Sequence, residues 1–427
     1  MLFPRMLRIR QKFTTQRVSD VAGEVERQLS ALSLKEQVRP GQSVAITAGS
    51  RGIANIAVMT RAVVDHIKSL GAIPFIVPAM GSHGGGTAAG QVEILAGYGI
   101  TPQSMGAEIR ASMETIVIDT TSQGIAVHFD KQASQADHVV VVGRIKPHTA
   151  FVGEIESGLH KMLLIGLGKH NGAILYHQGI LDYSWPEIVR SVATAVLRRC
   201  KVLCGLAIVE NAYDETALIE AVRPADFLPR EVELLKLAKQ WLPRLPFTNV
   251  DLLVLDEIGK NISGSGMDTN VVGRKYNDHK PTDKDEFKVR TIFIRGLTPV
   301  THGNACGIGM SEFTNQRTID SVDRRITAIN CITGGHSQAA ALPIAFDTDR
   351  EVLRHALTTI GMTPPEKARL VQIRNTLDLS EVLISEAHLP QLRERPDLTL
   401  LEGPFDMRFN ADDNLLPVFP ESSAGHA

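Results

Sequence analysis

Short apolar segments alternate with amphipathic ones from residue 42 to residue 209, and this alternation is the strongest constraint on the fold. Gln42–Ala48, Pro74–Ala79, His138–Val142 and Cys204–Val209 have the length and composition of buried strands, whereas Ile53–Leu70 has the period of an amphipathic helix. Strands that alternate with helices predict an α/β fold with a largely parallel sheet. In such sheets, functional groups collect in the loops that follow the carboxyl ends of the strands.

The chain is long enough for two domains, since it has 427 residues. The proline-containing segment Leu237–Phe247 precedes a new buried strand, Val250–Leu255, after which the alternation restarts. The pattern predicts an N-terminal α/β domain over residues 1–248 and a C-terminal α/β domain over residues 249–427, with an active-site cleft between them. The small, polar residues after about Pro417 predict a disordered tail.

Composition excludes several classes of protein. The 45 basic and 47 acidic residues nearly balance, and no basic stripe interleaved with aromatic residues is present, so no nucleic-acid partner is expected. No apolar run is long enough to cross a bilayer, and the N-terminus lacks a secretory pattern, so we expect a cytoplasmic protein without a membrane partner. The four cysteines match no metal-binding or disulfide spacing and are expected to be reduced. The oligomeric state is left open.

Two glycine-containing loops follow the first two predicted strands. Ser50 and Arg51 precede a predicted helix, where a hydroxyl, a guanidinium and free backbone N–H groups would suit a phosphate. An ordinary helix cap with a solvated arginine explains the same residues. His83 precedes three consecutive glycines, Gly84–Gly86, so its imidazole could meet a ligand in an open loop. A flexible turn is the competing interpretation, because the pattern matches no standard nucleotide fingerprint.

The segment GRIKPHTAFVGEIESGLHK follows the predicted strand His138–Val142 and is unusually rich in ionisable groups. Pro147 favours an extended backbone at Lys146, which directs Lys146 and His148 to the same side. His148 is a plausible general base, because a neutral imidazole can accept a proton near neutral pH. Lys161 ends the segment at the edge of an apolar run, where a lysine either extends its ammonium to solvent or takes part in chemistry.

Further polar candidates lie downstream. His170 and His177 are seven residues apart, so on one helix they would share a face, although each taken singly is a structural residue more often than a metal ligand. In the second domain, a polar loop after Val250–Leu255 contains two hydrogen-bonding candidates and two possible anion anchors, which are Asp268, Asn270, Arg274 and Lys275. A long surface loop with turn-forming residues is the competing interpretation.

In this order, the signals resemble the lactate racemase family that uses the nickel-pincer nucleotide. The resemblance rests on a strand-end Ser-Arg, a Gly-x-His with Thr87 four residues after the histidine, a Lys-Pro-His, a Gly-x-x-Lys and a downstream histidine. It covers both predicted domains and is strongest from Gly81 to His177. The broader homologues, which act on various 2-hydroxy acids, are a better match than lactate racemase itself.

The resemblance implies a role for each matching residue. His83 and His148 correspond to the two catalytic histidines on opposite sides of the substrate carbon. Lys161 corresponds to the lysine that forms a thioamide link to the cofactor, and His177 to the nickel ligand. The remaining cofactor-binding residues implied are Ser50, Arg51, Thr87 and Lys146, and the substrate-binding residues expected in the second domain are Asp268, Asn270, Arg274 and Lys275.

This sequence departs from the family pattern at several points. The Asp-x-Thr-Arg of the family is Ala48-Gly49-Ser50-Arg51 here, so an acidic group expected near the nucleotide ribose is missing. His160 replaces the arginine before the lysine, and the loop between His148 and Lys161 is longer. The family's substrate glutamine and lysine have no clean equivalents. These departures point to a substrate other than lactate.

The resemblance therefore predicts a racemase or epimerase that inverts C2 of a 2-hydroxy acid by reversible hydride transfer to a nickel-pincer nucleotide, which cofactor-synthesis proteins would supply. The polar loop of the second domain favours a substrate larger or more hydroxylated than lactate, such as a sugar acid. Two alternatives are a nicotinamide-dependent 2-hydroxy acid dehydrogenase, for which no convincing nucleotide fingerprint is present, and a non-catalytic protein that binds sugar acids or a nucleotide on the same scaffold.

Overall fold

The computed structural model describes residues 2–419. Its strands in chain order are β1 (Met6–Gln11), β2 (Ser43–Ala48), β3 (Ile73–Pro78), β4 (Glu108–Ile109), β5 (Thr115–Thr120), β6 (Ala126–Asp130), β7 (His138–Arg144), β8 (Val202–Glu210), β9 (Thr216–Val222), β10 (Asn249–Leu255), β11 (Lys288–Ile294), β12 (Phe313–Asn315), β13 (Ile344–Phe346), β14 (Leu370–Ile373), β15 (Glu381–Ser385) and β16 (Leu398–Phe405). Its α-helices are α1 (Val21–Ala31), α2 (Ile56–Ser69), α3 (Ala88–Gly97), α4 (Pro102–Met105), α5 (Lys131–Ser134), α6 (Leu159–Lys161), α7 (Lys169–Asp182), α8 (Trp185–Arg199), α9 (Phe227–Trp241), α10 (Thr269–Val272), α11 (Gln316–Asp320), α12 (Arg324–Thr333), α13 (Asp349–Ala356) and α14 (Leu389–Leu392).

The described chain divides into two compact units, one of residues 15–242 and one that combines residues 2–14 with residues 243–419. The sequence analysis placed the first fourteen residues in the N-terminal domain and the boundary at 248/249. The structure differs because β1 is hydrogen-bonded between β15 and β16, more than 370 residues away along the chain. The predicted cleft between the domains stays a prediction.

The unit of residues 15–242 is built on a six-stranded sheet with the order β4-β3-β2-β7-β8-β9. All neighbours except β8 and β9 are parallel. β7 shows why its sequence is continuously apolar: Val139 and Val141 pack into one hydrophobic core, while Val140 and Val142 pack into another on the opposite face. A strand covered on both faces needs apolar side chains at every position.

β5 and β6 form a separate antiparallel pair outside this sheet. Further along the chain, α8 begins with a capping box, in which the Ser184 N–H donates to Glu187 Oε2 at 2.9 Å. Its apolar face contributes to the same core as Val139 and Val141. Such helices cover the faces of the sheet, and the loops lie at the ends of its strands.

The second unit contains an eight-stranded sheet with the order β13-β12-β11-β10-β14-β15-β1-β16. β10 to β14 pair in parallel, whereas β14, β15, β1 and β16 pair antiparallel. β10 is buried on both faces, with Leu253 and Leu255 in one core and Leu252 and Val254 in the other. The predicted α/β class with largely parallel sheets is thus confirmed.

The predicted disordered tail after about residue 417 lies almost entirely outside the described residues. Within residues 2–419, no helix combines the length and the apolar character that crossing a bilayer requires.

Candidate functional site

The loops after β2, β3 and β7 leave the same edge of the six-stranded sheet, because these three strands are parallel neighbours. This arrangement brings the Ser50 hydroxyl into a hydrogen bond with Nδ1 of His83. The phenol of Tyr98 donates to the Ser50 carbonyl at 2.8 Å. Burial raises the pKa of Tyr98 while the nearby Arg51 and Arg144 oppose the rise, so the phenol stays protonated at neutral pH. Two of the residues predicted from sequence are therefore in direct contact.

The turn that carries His83 depends on its glycines. Gly84, Gly85 and Gly86 have φ angles of 67°, 65° and 66°, a region that residues with a Cβ rarely adopt. A Cβ on Gly84 would lie 2.7 Å from the backbone nitrogen of Gln91. The hydroxyl of Thr87 accepts from the Gly90 N–H at 3.1 Å and so caps the N-terminus of α3. The Gly-x-His pattern therefore forms a structured turn that presents an exposed imidazole.

The loop after β7 folds back on itself, since the Lys146 N–H donates to the Ser157 carbonyl at 3.0 Å. Within the loop, the His148 N–H donates to the carboxylate of Glu156 at 2.8 Å. Glu156 is 3% exposed and also pairs with Lys239 on α9 at 2.6 Å. The acidic residue in the longer loop thus anchors the backbone of His148.

The His148 ring is oriented by its own loop. Its Nδ1 accepts hydrogen bonds from the N–H groups of Ala150 and Phe151, each at 3.0 Å. Because an accepting nitrogen carries no proton, the neutral ring has its proton on Nε2. In this conformation His148 presents an N–H donor, and a lone pair on Nε2 would require the two backbone contacts to open.

An aromatic stack supports His148. The rings of His148 and Phe151 are parallel with centroids 4.0 Å apart, and Phe151 in turn stacks on Trp185 at 4.1 Å. The Trp185 indole N–H donates to the Ile155 carbonyl at 3.0 Å, which fixes the far end of the stack. The ring of His177 approaches the same Phe151 at 5.7 Å. Phe151 therefore links the predicted catalytic histidine to the predicted nickel ligand.

Lys161 ends the short helix α6, and a buried carboxylate holds the start of this helix. The carboxylate of Glu231 is 1% exposed and accepts from the His160 N–H at 3.1 Å while pairing with His160 Nδ1 at 2.8 Å. A Cβ on Gly158 would lie 2.3 Å from this carboxylate, so any larger residue there would displace the Glu231 side chain. His160, which replaces an arginine of the family pattern, therefore has a structural partner of its own.

The Lys161 amine is electrostatically unusual. Although part of the residue reaches the surface, desolvation of the ammonium, together with the positive charges of Arg51 and Arg144, lowers its pKa to about 7. Nζ lies 5.7 Å from the centroid of Phe151. A π-helical turn, Met162–Gly166, follows directly, and such turns are frequent at functional sites. A substantial fraction of the amine is unprotonated at neutral pH and can act as a nucleophile.

His177 lies on α7 close to this amine. Burial and the charge of Lys161 lower the pKa of His177 to about 4, so the imidazole is neutral at physiological pH and has a lone pair for a metal. His170, the alternative ligand, lies beside Gly86, and its buried Nδ1 has no hydrogen-bond partner in the described part of the chain. Among residues 2–419, no three His, Cys, Asp or Glu side chains gather in an arrangement that could hold a metal ion.

The sequence analysis missed an ion pair at the same sheet edge. Arg144 ends β7 and pairs with Glu210, which ends the neighbouring β8, and Glu210 also accepts from the Ala54 N–H at 2.7 Å. Arg144 at the end of this strand is therefore held in an ion pair. The sequence does place opposite charges at the ends of these two strands. Recognising them as a pair required knowledge that the two strands are neighbours in the sheet.

The four predicted substrate residues lie in the unit of residues 2–14 and 243–419. Asp268 is 4% exposed, caps α10 and accepts from Asn270, whose Oδ1 accepts from Lys275 Nζ at 3.1 Å. Arg274 is 1% exposed, donates to the Val289 carbonyl at 2.7 Å and pairs with a glutamate at 3.2 Å. Arg274 is thus part of the core of this unit. The role of Lys275 as an anion anchor stays a prediction.

Comparison with known proteins finds one similar family, over the first part of the chain. Residues 5–185 match the family model of the lactate racemase N-terminal domain. No curated protein matches the sequence. The lactate racemase apoprotein from Thermoanaerobacterium thermosaccharolyticum is 14% identical, over 86% of this chain and 83% of that chain, with a TM-score of 0.49. A protein from Thermotoga maritima is 12% identical, over 64% and 70% of the two chains, with a TM-score of 0.46. At these values, neither structure establishes an activity or a ligand for this chain.

Proposed function

We propose that this chain, whose residues 5–185 match the model of the lactate racemase N-terminal domain, is an isomerase that inverts C2 of a 2-hydroxy acid with a nickel-pincer nucleotide. The observation that carries the proposal is that Lys161 Nζ and the His177 ring both lie beside Phe151, each 5.7 Å from the centroid of its ring. An amine with a pKa of about 7 lies near an imidazole with a pKa of about 4, so at neutral pH the two supply a nucleophile and a neutral metal ligand.

The residues present fit this cofactor chemically. The Lys161 amine would carry the covalent attachment, and His177 would supply a nitrogen ligand of the kind nickel accepts. Arg51 and Ser50, at the end of β2, would hold the phosphate, with Thr87 and Lys146 completing the proposed set. When bound, the cofactor supplies the acceptor and donor of hydride at C2, which no side chain can provide.

The two histidines can divide the proton chemistry between them. The Ser50 hydroxyl can donate to or accept from Nδ1 of His83, so either neutral form of that ring keeps its partner. His83 can therefore offer Nε2 as a lone pair or as an N–H donor. His148, by contrast, is held as an Nε2–H donor by Ala150 and Phe151. We assign proton acceptance from the substrate hydroxyl to His83 in this conformation, with His148 donating to a substrate oxygen.

The polar loop around Asp268 and Lys275 supports a substrate with more hydroxyl groups than lactate, and we propose a sugar acid as the first class to test. Its hydroxyl groups would be recognised by carboxylate and amide oxygens, and its carboxylate by the lysine. The chemistry at C2 would be the same for any 2-hydroxy acid, so the identity of the substrate can fail without the reaction class failing.

The test uses protein made in a host that contains the cofactor-synthesis proteins. Metal analysis and intact mass should show nickel together with a sulfur-containing adduct on Lys161. The loaded protein is then given single enantiomers of 2-hydroxy acids labelled with deuterium at C2, and chiral chromatography should show inversion with the label retained. Loss of the label to solvent would contradict hydride transfer, and a requirement for added nicotinamide nucleotide would instead support a dehydrogenase.

Variants then assign the histidines. His83→Ala and His148→Ala should each abolish inversion, and full activity in either would remove that residue from the proposed pair. The matched control is His138→Ala, because His138 begins β7 at the opposite edge of the same sheet. That variant should keep both the adduct and the activity. Adduct with bound ligand but no turnover of any 2-hydroxy acid would favour the non-catalytic binding protein.

A further inference from the structure

A buried polar cluster lies directly beneath the turn that carries His83. It consists of Gln91 on α3, Asp130 at the end of β6 and Lys169 at the start of α7, and each of the three is 0% exposed. None was among the predicted site residues. Because charged side chains are almost never fully buried without a partner, the cluster requires an explanation beyond packing.

The contacts of the cluster form a chain that connects Asp130 to the backbone of His83. The Lys169 ammonium lies 3.0 Å from the Asp130 carboxylate and donates to the Pro78 carbonyl at 2.5 Å and to Gln91 Oε1 at 3.4 Å. With its oxygen facing the ammonium, Gln91 turns its amide nitrogen outward. That nitrogen donates to the carbonyls of Gly81 at 3.1 Å and of His83 at 3.2 Å.

The cluster therefore donates hydrogen bonds to three backbone carbonyls in and next to the turn. Pro78 is the last residue of β3, Gly81 begins the turn, and His83 carries the imidazole. The orientation of the Gln91 amide follows from the ammonium, since a reversed amide would place N–H groups against a cation and an oxygen against two carbonyls. Lys169 thus determines which way Gln91 points, and Gln91 fixes where the His83 backbone lies.

Stability alone is a poor reason for this arrangement. Taking an ammonium and a carboxylate out of water is costly, and apolar side chains of similar volume often replace a buried ion pair without loss of stability. Lys169 also has a φ of 54°, which is uncommon for a residue other than glycine and adds backbone strain. What apolar side chains could not supply is a directed donor to each of the two carbonyls that flank the imidazole.

We infer that Gln91, oriented by the buried Asp130–Lys169 pair, is a positioning residue that sets the location of the His83 imidazole. The inference rests on the proposed function for its catalytic consequence, but not for its structural part. Gln91 itself would not touch substrate or cofactor. Its effect would reach the reaction only through His83 and the hydrogen bond from His83 to Ser50.

Two substitutions at one position separate positioning from stability. Gln91→Glu preserves the volume and the acceptor oxygen for Lys169, and it removes both N–H donors to the turn. Gln91→Met removes the donors and the acceptor. The matched control is Gln372→Met, because Gln372 is a buried glutamine in the other unit, 3% exposed and hydrogen-bonded to Asp256 at 2.8 Å. It reports the general cost of losing such a residue.

The first readout needs neither cofactor nor substrate. In full-length protein labelled with 15N-histidine, the ring signals of His83, assigned with a His83→Gln variant, should shift in both Gln91 variants and stay in place in Gln372→Met. The second readout is turnover by the loaded enzyme. Both Gln91 variants should lower kcat by about 10- to 100-fold and change KM by less than about threefold, because a displaced base affects the reaction more than binding.

The outcomes separate the two proposals. Unchanged His83 signals in both Gln91 variants would overturn the positioning role, whatever happens to their stability, and so would an unchanged kcat in an active enzyme. If the wild-type protein inverts no 2-hydroxy acid, the proposed function fails, and the His83 signals still decide the positioning role. If Gln91→Met does not fold, Gln91→Glu carries the test alone, because it keeps the volume and the partner of Lys169.

Discussion

Replacing Glu156 with alanine should destabilise the unit of residues 15–242 and release the loop that carries His148. The carboxylate is almost fully buried and is bonded to the His148 N–H at 2.8 Å and to Lys239 at 2.6 Å. The substitution leaves the half-buried His148 N–H without its acceptor. Glu154, two residues earlier, provides a matched control, because it pairs with Arg190 on the surface.

The magnitude follows from the burial of each partner. A hydrogen bond to a charged group contributes about 1.5–3 kcal/mol, and Glu156 itself is buried. Lys239 has a side chain that is 46% exposed, so its ammonium regains water and its ion pair adds only about 0.5 kcal/mol. Glu156→Ala should therefore cost about 2–3.5 kcal/mol. Glu156→Gln keeps an acceptor oxygen and should cost about 1 kcal/mol, whereas Glu154→Ala should cost less than about 0.5 kcal/mol.

Tryptophan fluorescence during urea unfolding measures this cost in the correct part of the chain. The two tryptophans, Trp185 and Trp241, both lie in the unit of residues 15–242, and Trp185 is in the stack that supports His148. The midpoint should fall most for Glu156→Ala, less for Glu156→Gln and barely for Glu154→Ala, with similar slopes. Equal midpoints for the two alanine variants would refute the claim that the buried carboxylate anchors this loop.

Four further predictions concern the same sheet edge. Lysine acylation of the unloaded protein at pH 7.5 should modify Lys161 first, as peptide mass spectrometry would show. Arg51→Met should slow this modification, because it raises the pKa of Lys161 from about 7. Equal acylation rates of Lys161 in the two proteins would contradict this. Because that pKa lies below its unfolded value of 10.5, the unfolded state holds the extra proton, so this group's contribution to stability rises with pH from about 7 to 10.5. The 15N signals of His148 should show a proton on Nε2 and none on Nδ1, and the opposite tautomer would disprove the loop contacts. Gly84→Ala should cost at least about 2 kcal/mol, since its Cβ would meet a backbone nitrogen of α3 at 2.7 Å, whereas Gly85→Ala, with nothing within 4 Å, should cost about 1 kcal/mol of backbone strain in thermal unfolding.

The sequence predicted the central elements of the first unit well because local rules governed them. The strand predicted at Gln42–Ala48 is β2, Ser43–Ala48, and the helix predicted at Ile53–Leu70 is α2, Ile56–Ser69. Gly49 follows the strand directly, and Gly71 lies just past the end of the helix. β1 was missed because its arginines alternate with apolar residues and its partner strands lie near the other end of the chain.

The site was predictable only to the extent that its residues lie at strand ends. Parallel neighbours deliver their loops to one edge, so Ser50, His83 and Lys161 could be grouped before any distance was known. The tautomer of His148 could not be predicted, because it depends on two backbone N–H groups of its own loop. Whether Arg274 was exposed or buried could not be predicted either, since the polar composition of the segment around it also fits a surface loop.

The residues that sequence reasoning missed share one physical property: each is a polar group whose role is set by a partner distant in the chain. Asp130 and Lys169 are 39 positions apart, and Glu156 meets Lys239 across 83. Such groups carry no periodic signal, because burial of a charge becomes favourable only when the fold has already brought its partner into contact. They also fix the backbone of His83 and His148 rather than touching a ligand. In this unit, motif residues such as His83 and His148 are held in position by buried polar residues that only the structure reveals. Substitutions of those buried residues therefore test the site as directly as substitutions of the histidines.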